Sequence, residues 1–203
     1  MSRKLLCARA VLANASKLVS FGSGSRESSI RLNFSEEIEE SISDQISKEL
    51  TAAYTYFAIS SVFGNDTQAL PGFHWLFDEF AKEELGHAKL WVDYLNIRGG
   101  KAKFKTVECV ENEDWTPLKA VEKAIKMEKA MTWDLEKLRD LADKHCDYHF
   151  GKFVEDDFLT EQYDGLKKLG DLKTQIERVD DSFGLYMLDY NIFKKYKKKE
   201  KDE

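Results

Sequence analysis

Apolar residues recur three or four positions apart along most of this chain. Between residues 36 and 63 they are Ile38, Ile42, Ile46, Leu50, Ala53 and Phe57, a spacing that lays one helix face against a core. Ser35 stands ahead of them as an N-cap, with Glu36 and Glu37 at the positive helix end, and Gly64-Asn65-Asp66 ends the run. A second helix is predicted after Pro71-Gly72, carrying Phe73, Leu76, Phe77, Phe80, Leu90 and Leu95 to a stop at Gly99-Gly100. The short link between the two makes them antiparallel neighbours. Thr116-Pro117 opens a third helix as N-cap and first-turn proline, with Leu118, Val121, Ile125, Leu135, Leu138 and Leu141 on its face. The polar stretch 101–115 is long enough to cross a bundle, so the third helix is expected to run parallel to the second. A fourth spans about 148–169, ending at Gly170, and a shorter fifth covers 181–196 with Phe183, Leu185, Met187, Leu188, Ile192 and Phe193. The fold class is all-α: a four-helix bundle with a long crossover between helices two and three, plus a short fifth helix.

The pattern divides the 203 residues into a leader at 1–32, a bundle at 33–196 and a charged tail at 197–203. With only two prolines and 33% charged residues, composition favours long amphipathic helices over a sandwich or barrel. The net charge of −6 gives no reason to expect nucleic acid as a partner, and no stretch is apolar enough to span a membrane. Cys7, Cys109 and Cys146 are scattered and odd in number, so they spell neither a disulfide framework nor a zinc ribbon, and a reducing compartment fits them best. The first 26 residues carry Arg3, Lys4, Arg9, Lys17 and Arg26, several serines and no acid. That composition resembles a mitochondrial or plastid transit segment; the plainer alternative is a basic tail on a cytoplasmic protein. Removal of its five positive charges would take the chain from −6 to −11, acidic enough to concentrate cations near the surface.

The candidate chemistry lies on helix faces. Glu84 and His87 are three apart and point from one side of the second helix. Glu49 and Tyr56, seven apart on the first helix, share a face with Ala53 and Phe57. A carboxylate on that face is costly to bury unless it is paired or binds a metal. The third helix offers Glu128 between Met127 and Met131, and the fourth offers Glu161-Gln162. Taken singly, each has a plainer reading: Glu128-Lys129 as a surface pair, Tyr56 as a core tyrosine, His87 as a satisfied core histidine. Together, three helices would each turn a carboxylate inward, and oxygen ligands with an imidazole suit iron. His145 and His149 are spaced for zinc on a helix, but they span a turn and no third ligand is evident.

The order and intervals of five motifs resemble the ferritin family across residues 33–196: I-S-D-Q-I-S-K-E-L-T-A-A-Y-T-Y, K-E-E-L-G-H-A, I-K-M-E-K-A, L-T-E-Q-Y and K-K-L-G-D. The resemblance implies a ferritin-like bundle assembled into a hollow cage of twenty-four subunits, as a homo-oligomer or mixed with another ferritin subunit. It also implies iron storage with ferroxidase activity of the heavy-chain type. Iron(II) and dioxygen would be the substrates and a ferric mineral the product. On the matching positions, Glu49 and His87 would hold a first iron, Glu84 would bridge to a second, and Glu128 would bind that second iron. Gln162 and Tyr56 would stand beside the di-iron site. Of two acidic positions at the family's three-fold channel, Glu155 fits one and Lys152 occupies the other, with Asp147, Asp156 or Asp157 as compensating acids and His149 near the channel mouth. Among mineral-nucleating positions Glu83 is kept, while Gly86 and Lys89 replace acids. Two other functions fit less of this pattern. A light-chain-type subunit would lack the oxidation residues, and a soluble di-iron oxidoreductase would ordinarily carry a second E-x-x-H, which Lys129-Ala130-Met131 after Glu128 does not supply.

Overall fold

Ser35 caps the first helix as its position implies, its Oγ accepting from the Ile38 N–H at 3.1 Å. The computed structural model describes residues 28–108, 110, 114–179 and 181–202, the last seven of these by backbone alone. The helices are α1 (Glu36–Phe63), α2 (Pro71–Ile97), α3 (Pro117–His145), α4 (Tyr148–Val154), α5 (Thr160–Glu177) and α6 (Ser182–Asp202). A π-helical turn, Glu155–Leu159, joins α4 to α5, so residues 148–177 form one rod, the fourth of the bundle. Thr116 caps α3 by accepting from Lys119 N–H, with Pro117 at its first position, and Gly99 adopts a left-handed φ of 72° just past α2.

Contacts between rods fix their directions. Ser60 meets His74 while Trp91 meets Glu49, so α1 and α2 are antiparallel. Glu37 meets Lys144 while Tyr56 meets Glu128, so α1 and α3 are antiparallel too. It follows that α3 runs parallel to α2, as the length of the crossover predicts. Glu122 with Lys173 and Arg139 with Glu155 set the fourth rod antiparallel to α3.

Burial along α1 refines the expected face. Ile38, Gln45, Ala52 and Ile59 are buried, as are Ile42, Glu49, Tyr56 and Phe63. These are two series with a strict seven-residue step, the repeat of helices that supercoil gently around one another. Phe57 fits the looser three-or-four spacing but lies off both series, and it is exposed; Leu90 and Phe183 are exposed as well. Two of the eight positions, Gln45 and Glu49, place polar side chains where the bundle expects hydrocarbon.

The fourth rod passes its expected stop at Gly170 and continues to Glu177. A Cβ added at Gly165 or Gly170 would meet nothing within 4 Å, so these glycines face open space and only weaken the helix, by ~1 kcal/mol each. Leu169, Leu172 and Ile176 pack on the core and carry the helix through them. The fifth helix is also longer than expected, reaching Asp202. It lies against α2, whose N-terminus has no cap from its own residue Leu70. The cap comes from across the fold: buried Asp189 accepts the Phe73 N–H at 2.9 Å through Oδ1. Gly72 makes room for this approach, since a Cβ there would stand 2.0 Å from the Asp189 carbonyl oxygen.

Near the start, Arg98 binds the carbonyl oxygens of Leu32 and Asn33 and the Asp147 carboxylate. The basic part of the leader, residues 1–27, lies outside the described residues, as do Cys7 and Cys109. Cys146 is disulfide-bonded, a pairing that the scatter and odd number of the cysteines do not spell out. Among the described residues no helix is long and apolar enough to cross a membrane.

Candidate metal centre

Glu49 occupies a core position of α1 and is buried. Its Oε1 accepts from Gln45 Nε2 at 2.9 Å and from the Trp91 indole at 3.0 Å. Its Oε2 is equally buried and has no hydrogen-bond donor among the described residues. The neighbour of this carboxylate is Glu84, buried on α2, so without a cation the two can coexist only by sharing a proton. One turn beyond, His87 places Nδ1 3.4 Å from Glu84 Oε2. One ligand atom from each of Glu49, Glu84 and His87 lies within 4.8 Å of the others, close enough for a single ion. Among the described residues no other group of three histidine, cysteine or acidic side chains converges in this way.

Burial, then the Glu84 charge, pushes the Glu49 carboxyl well above the usual carboxylate range. Burial, then the Glu128 charge, pushes Glu84 up to about 8. A cation between them would remove both penalties, because it replaces like-charge repulsion with attraction in a poorly solvated site. The donor set of carboxylate oxygens with one imidazole nitrogen matches iron(II).

Glu128, half-buried on α3, accepts a 2.5 Å hydrogen bond from the Tyr56 hydroxyl. Tyr56 is buried, and burial followed by the Glu128 charge raises its pKa well above the ordinary tyrosine value. Gln162 is half-buried and forms no hydrogen bond among the described residues. Its neighbour Glu161 places Oε2 3.5 Å from His87 Nε2. The family resemblance points to Gln162 and leaves Glu161 unassigned; the π-turn before them sets the helix register that brings Glu161 to His87.

Gln45 and Trp91 are site residues that the carboxylate-and-histidine pattern does not name. Spacing could have found them, since Gln45 lies four residues before Glu49 and Trp91 four after His87. The Trp91 ring stacks on Phe158 at 4.3 Å, and Phe158 meets the His87 ring edge-on at 5.5 Å. This aromatic chain links the Glu49 anchor to the histidine.

The outlying candidates disperse. Glu83 is exposed on α2. His145 binds Glu37, whereas His149 stacks on Tyr94 and meets its hydroxyl at 3.2 Å, so the two histidines do not converge. Lys152 pairs with Asp156, Glu155 with Arg139, and Asp147 with Arg98. Asp156 thus offsets the Lys152 charge directly, while Asp147 is engaged by Arg98.

Comparison with known proteins agrees with this geometry. Residues 39–179 match the family described as a ferritin-like domain. The chain is 36% identical to the soma ferritin of Lymnaea stagnalis over 163 residues, 80% of this chain and 94% of that protein. It is 37% identical to the ferritin heavy chain of Echinococcus granulosus over 161 residues, 79% and 93% of the two chains. It is also 35% identical to the ferritin light chain of Oryctolagus cuniculus over 166 residues, 80% and 95%. Heavy and light relatives stand at similar distance, so identity alone does not choose between them. With the bundle, the crossover and the family match in agreement, the chain belongs to the ferritin family.

Proposed function

We propose that this protein stores iron and oxidises it, binding iron(II) at the Glu49–Glu84–His87 cluster as a ferroxidase of heavy-chain type. The observation that carries the reading is the convergence of two buried carboxyl groups, Glu49 and Glu84, with the His87 imidazole within reach of one ion. A storage shell without chemistry has no use for so costly an arrangement. The first iron(II) would take one oxygen each from Glu49 and Glu84 and a nitrogen from His87, releasing the shared proton. The second would lie toward Glu128, with Glu84 between the two. Each iron(II) gives up one electron. One dioxygen takes both and, with two protons, leaves at the level of hydrogen peroxide. A second site with fewer protein ligands lets the ferric product depart toward storage.

By family analogy the subunits build a twenty-four-membered cage, alone or with another ferritin subunit, around the mineral. The basic leader, on composition alone, is read as a mitochondrial address; a fusion of residues 1–34 to a fluorescent reporter that spreads through the cytoplasm would refute this.

The deciding experiment is aerobic addition of iron(II) to the purified apo-protein, followed by the near-ultraviolet absorbance of ferric species, beside Glu84→Ala/His87→Ala. Fast oxidation saturating at about two irons per chain, lost in the double variant while assembly persists, is expected. Equal slow oxidation in both proteins would make the chain a passive subunit of light-chain type.

A further inference from the structure

We infer that Glu161 is a positioning residue for His87, brought into place by the π-helical turn at Glu155–Leu159. The inference rests on the metal centre proposed above. His87 lies between two carboxylates: Nδ1 faces Glu84 at 3.4 Å and Nε2 faces Glu161 at 3.5 Å. A neutral imidazole that offers a lone pair at one ring nitrogen carries its proton on the other. Ligation through Nδ1 therefore requires Nε2–H, and that proton needs an acceptor pointing the right way. Glu161 is that acceptor. Histidine ligands typically give their second N–H to a carboxylate or carbonyl, which fixes both tautomer and ring orientation.

The 3.5 Å separation is longer than a formed hydrogen bond. Glu161 is 62% exposed at its side chain, so it can swing inward when an ion draws the ring into line. Its placement depends on the turn before it. The Thr160 N–H bonds to Glu155 five residues back, which winds one extra residue into the rod. In an uninterrupted α-helix, each residue advances ~100° around the axis, and Thr160 would stand about where Glu161 now faces His87. A threonine hydroxyl there would fall short of the ring. The same turn carries Phe158, whose edge-on contact holds the other side of His87. One local departure from α geometry thus supplies both the hydrogen-bond acceptor and the steric wall, as π-turns often do at functional sites.

The test uses cobalt(II) alone, titrated anaerobically into the full-length apo-protein and followed by its visible ligand-field absorption. Glu161→Ala should weaken binding roughly 10–100-fold and alter the band shape, while Glu161→Gln, whose carbonyl still accepts from Nε2–H, should return to within about threefold of the parent. Unchanged melting temperatures would confirm that all three proteins are folded, as expected for an exposed side chain. Parent-like cobalt binding by Glu161→Ala would overturn the inference. So would Glu161→Gln as weak as Glu161→Ala, since the carboxylate would then be needed as a ligand or charge. Cobalt binding unaffected by Glu84→Ala in the parent background would instead overturn the metal centre itself, and this inference with it.

Discussion

Replacing Glu84 by Gln should change how the stability of the apo-protein depends on pH, and should do so in one direction only. In the folded chain Glu84 keeps its proton up to about 8, whereas its ordinary value is 4.5. Between those values the unfolded chain has released the proton and the folded chain has not. The folded state therefore binds more protons, and its stability falls as pH rises through this window. At ~1.4 kcal/mol per pH unit, the ceiling for this one group is roughly 5 kcal/mol. Glu84 shares its proton with Glu49 and feels Glu128, so the expected share is about 2 kcal/mol, or ~4–8 °C in melting temperature for a chain of this length. Glutamine cannot ionise and so escapes this cost. Thermal melting of metal-free parent and Glu84→Gln should nearly coincide at about pH 5 and separate by about pH 8, with the variant the more stable. Parallel curves over that range would refute the claim that burial holds Glu84 protonated. A variant less stable at every pH would show that the carboxylate makes favourable contacts in the empty site.

Other substitutions test other parts of the molecule. Asp189→Ala removes the long-range cap of α2 and should cost ~1 kcal/mol, exposing the segment before α6 to limited proteolysis; an unchanged digestion pattern would mean α6 docks without it. Gly72→Ala should undock α6 by crowding the Asp189 carbonyl, with the same proteolytic signature and a larger fall in melting temperature. Tyr56→Phe deletes the donor to Glu128 and should lower stability by about 1–2 kcal/mol, slowing iron oxidation less than loss of Glu84 does. A loss equal to that of Glu84→Ala would place the phenol on iron itself. Lys152→Asp breaks the pair with Asp156; if the proposed three-fold entry route runs past this position, initial iron uptake should quicken, and unchanged uptake would point to another route.

Much of this fold could be read from local signals. Ser35 and Thr116 act as caps through hydrogen bonds spanning three residues, and Glu84 and His87 share a face because a helix repeats every 3.6 residues. Such rules involve only neighbours in sequence, so the sequence states them openly. Local pattern misleads where contacts distant in sequence decide. Phe57 satisfied the helical spacing yet faces outward, because the buried stripe follows the seven-residue step set by packing against other rods. Gly170 has the look of a helix end, but contacts of Leu169, Leu172 and Ile176 with the core outweigh it.

The ends of most helices, the bundle class and the candidate metal ligands are matters of short-range pattern, and the chain carries them residue by residue. The convergence of Glu49 with Glu84, the bond from Tyr56 to Glu128 and the cap from Asp189 join residues far apart in sequence, and only the packed bundle creates them. The raised carboxyl pKa values belong to the same category, since they come from exclusion of water rather than from residue type. So does the approach of Glu161 to His87, which turns on a single extra residue wound into the fourth rod, where helix register and the surface it faces are decided by neighbours across the core.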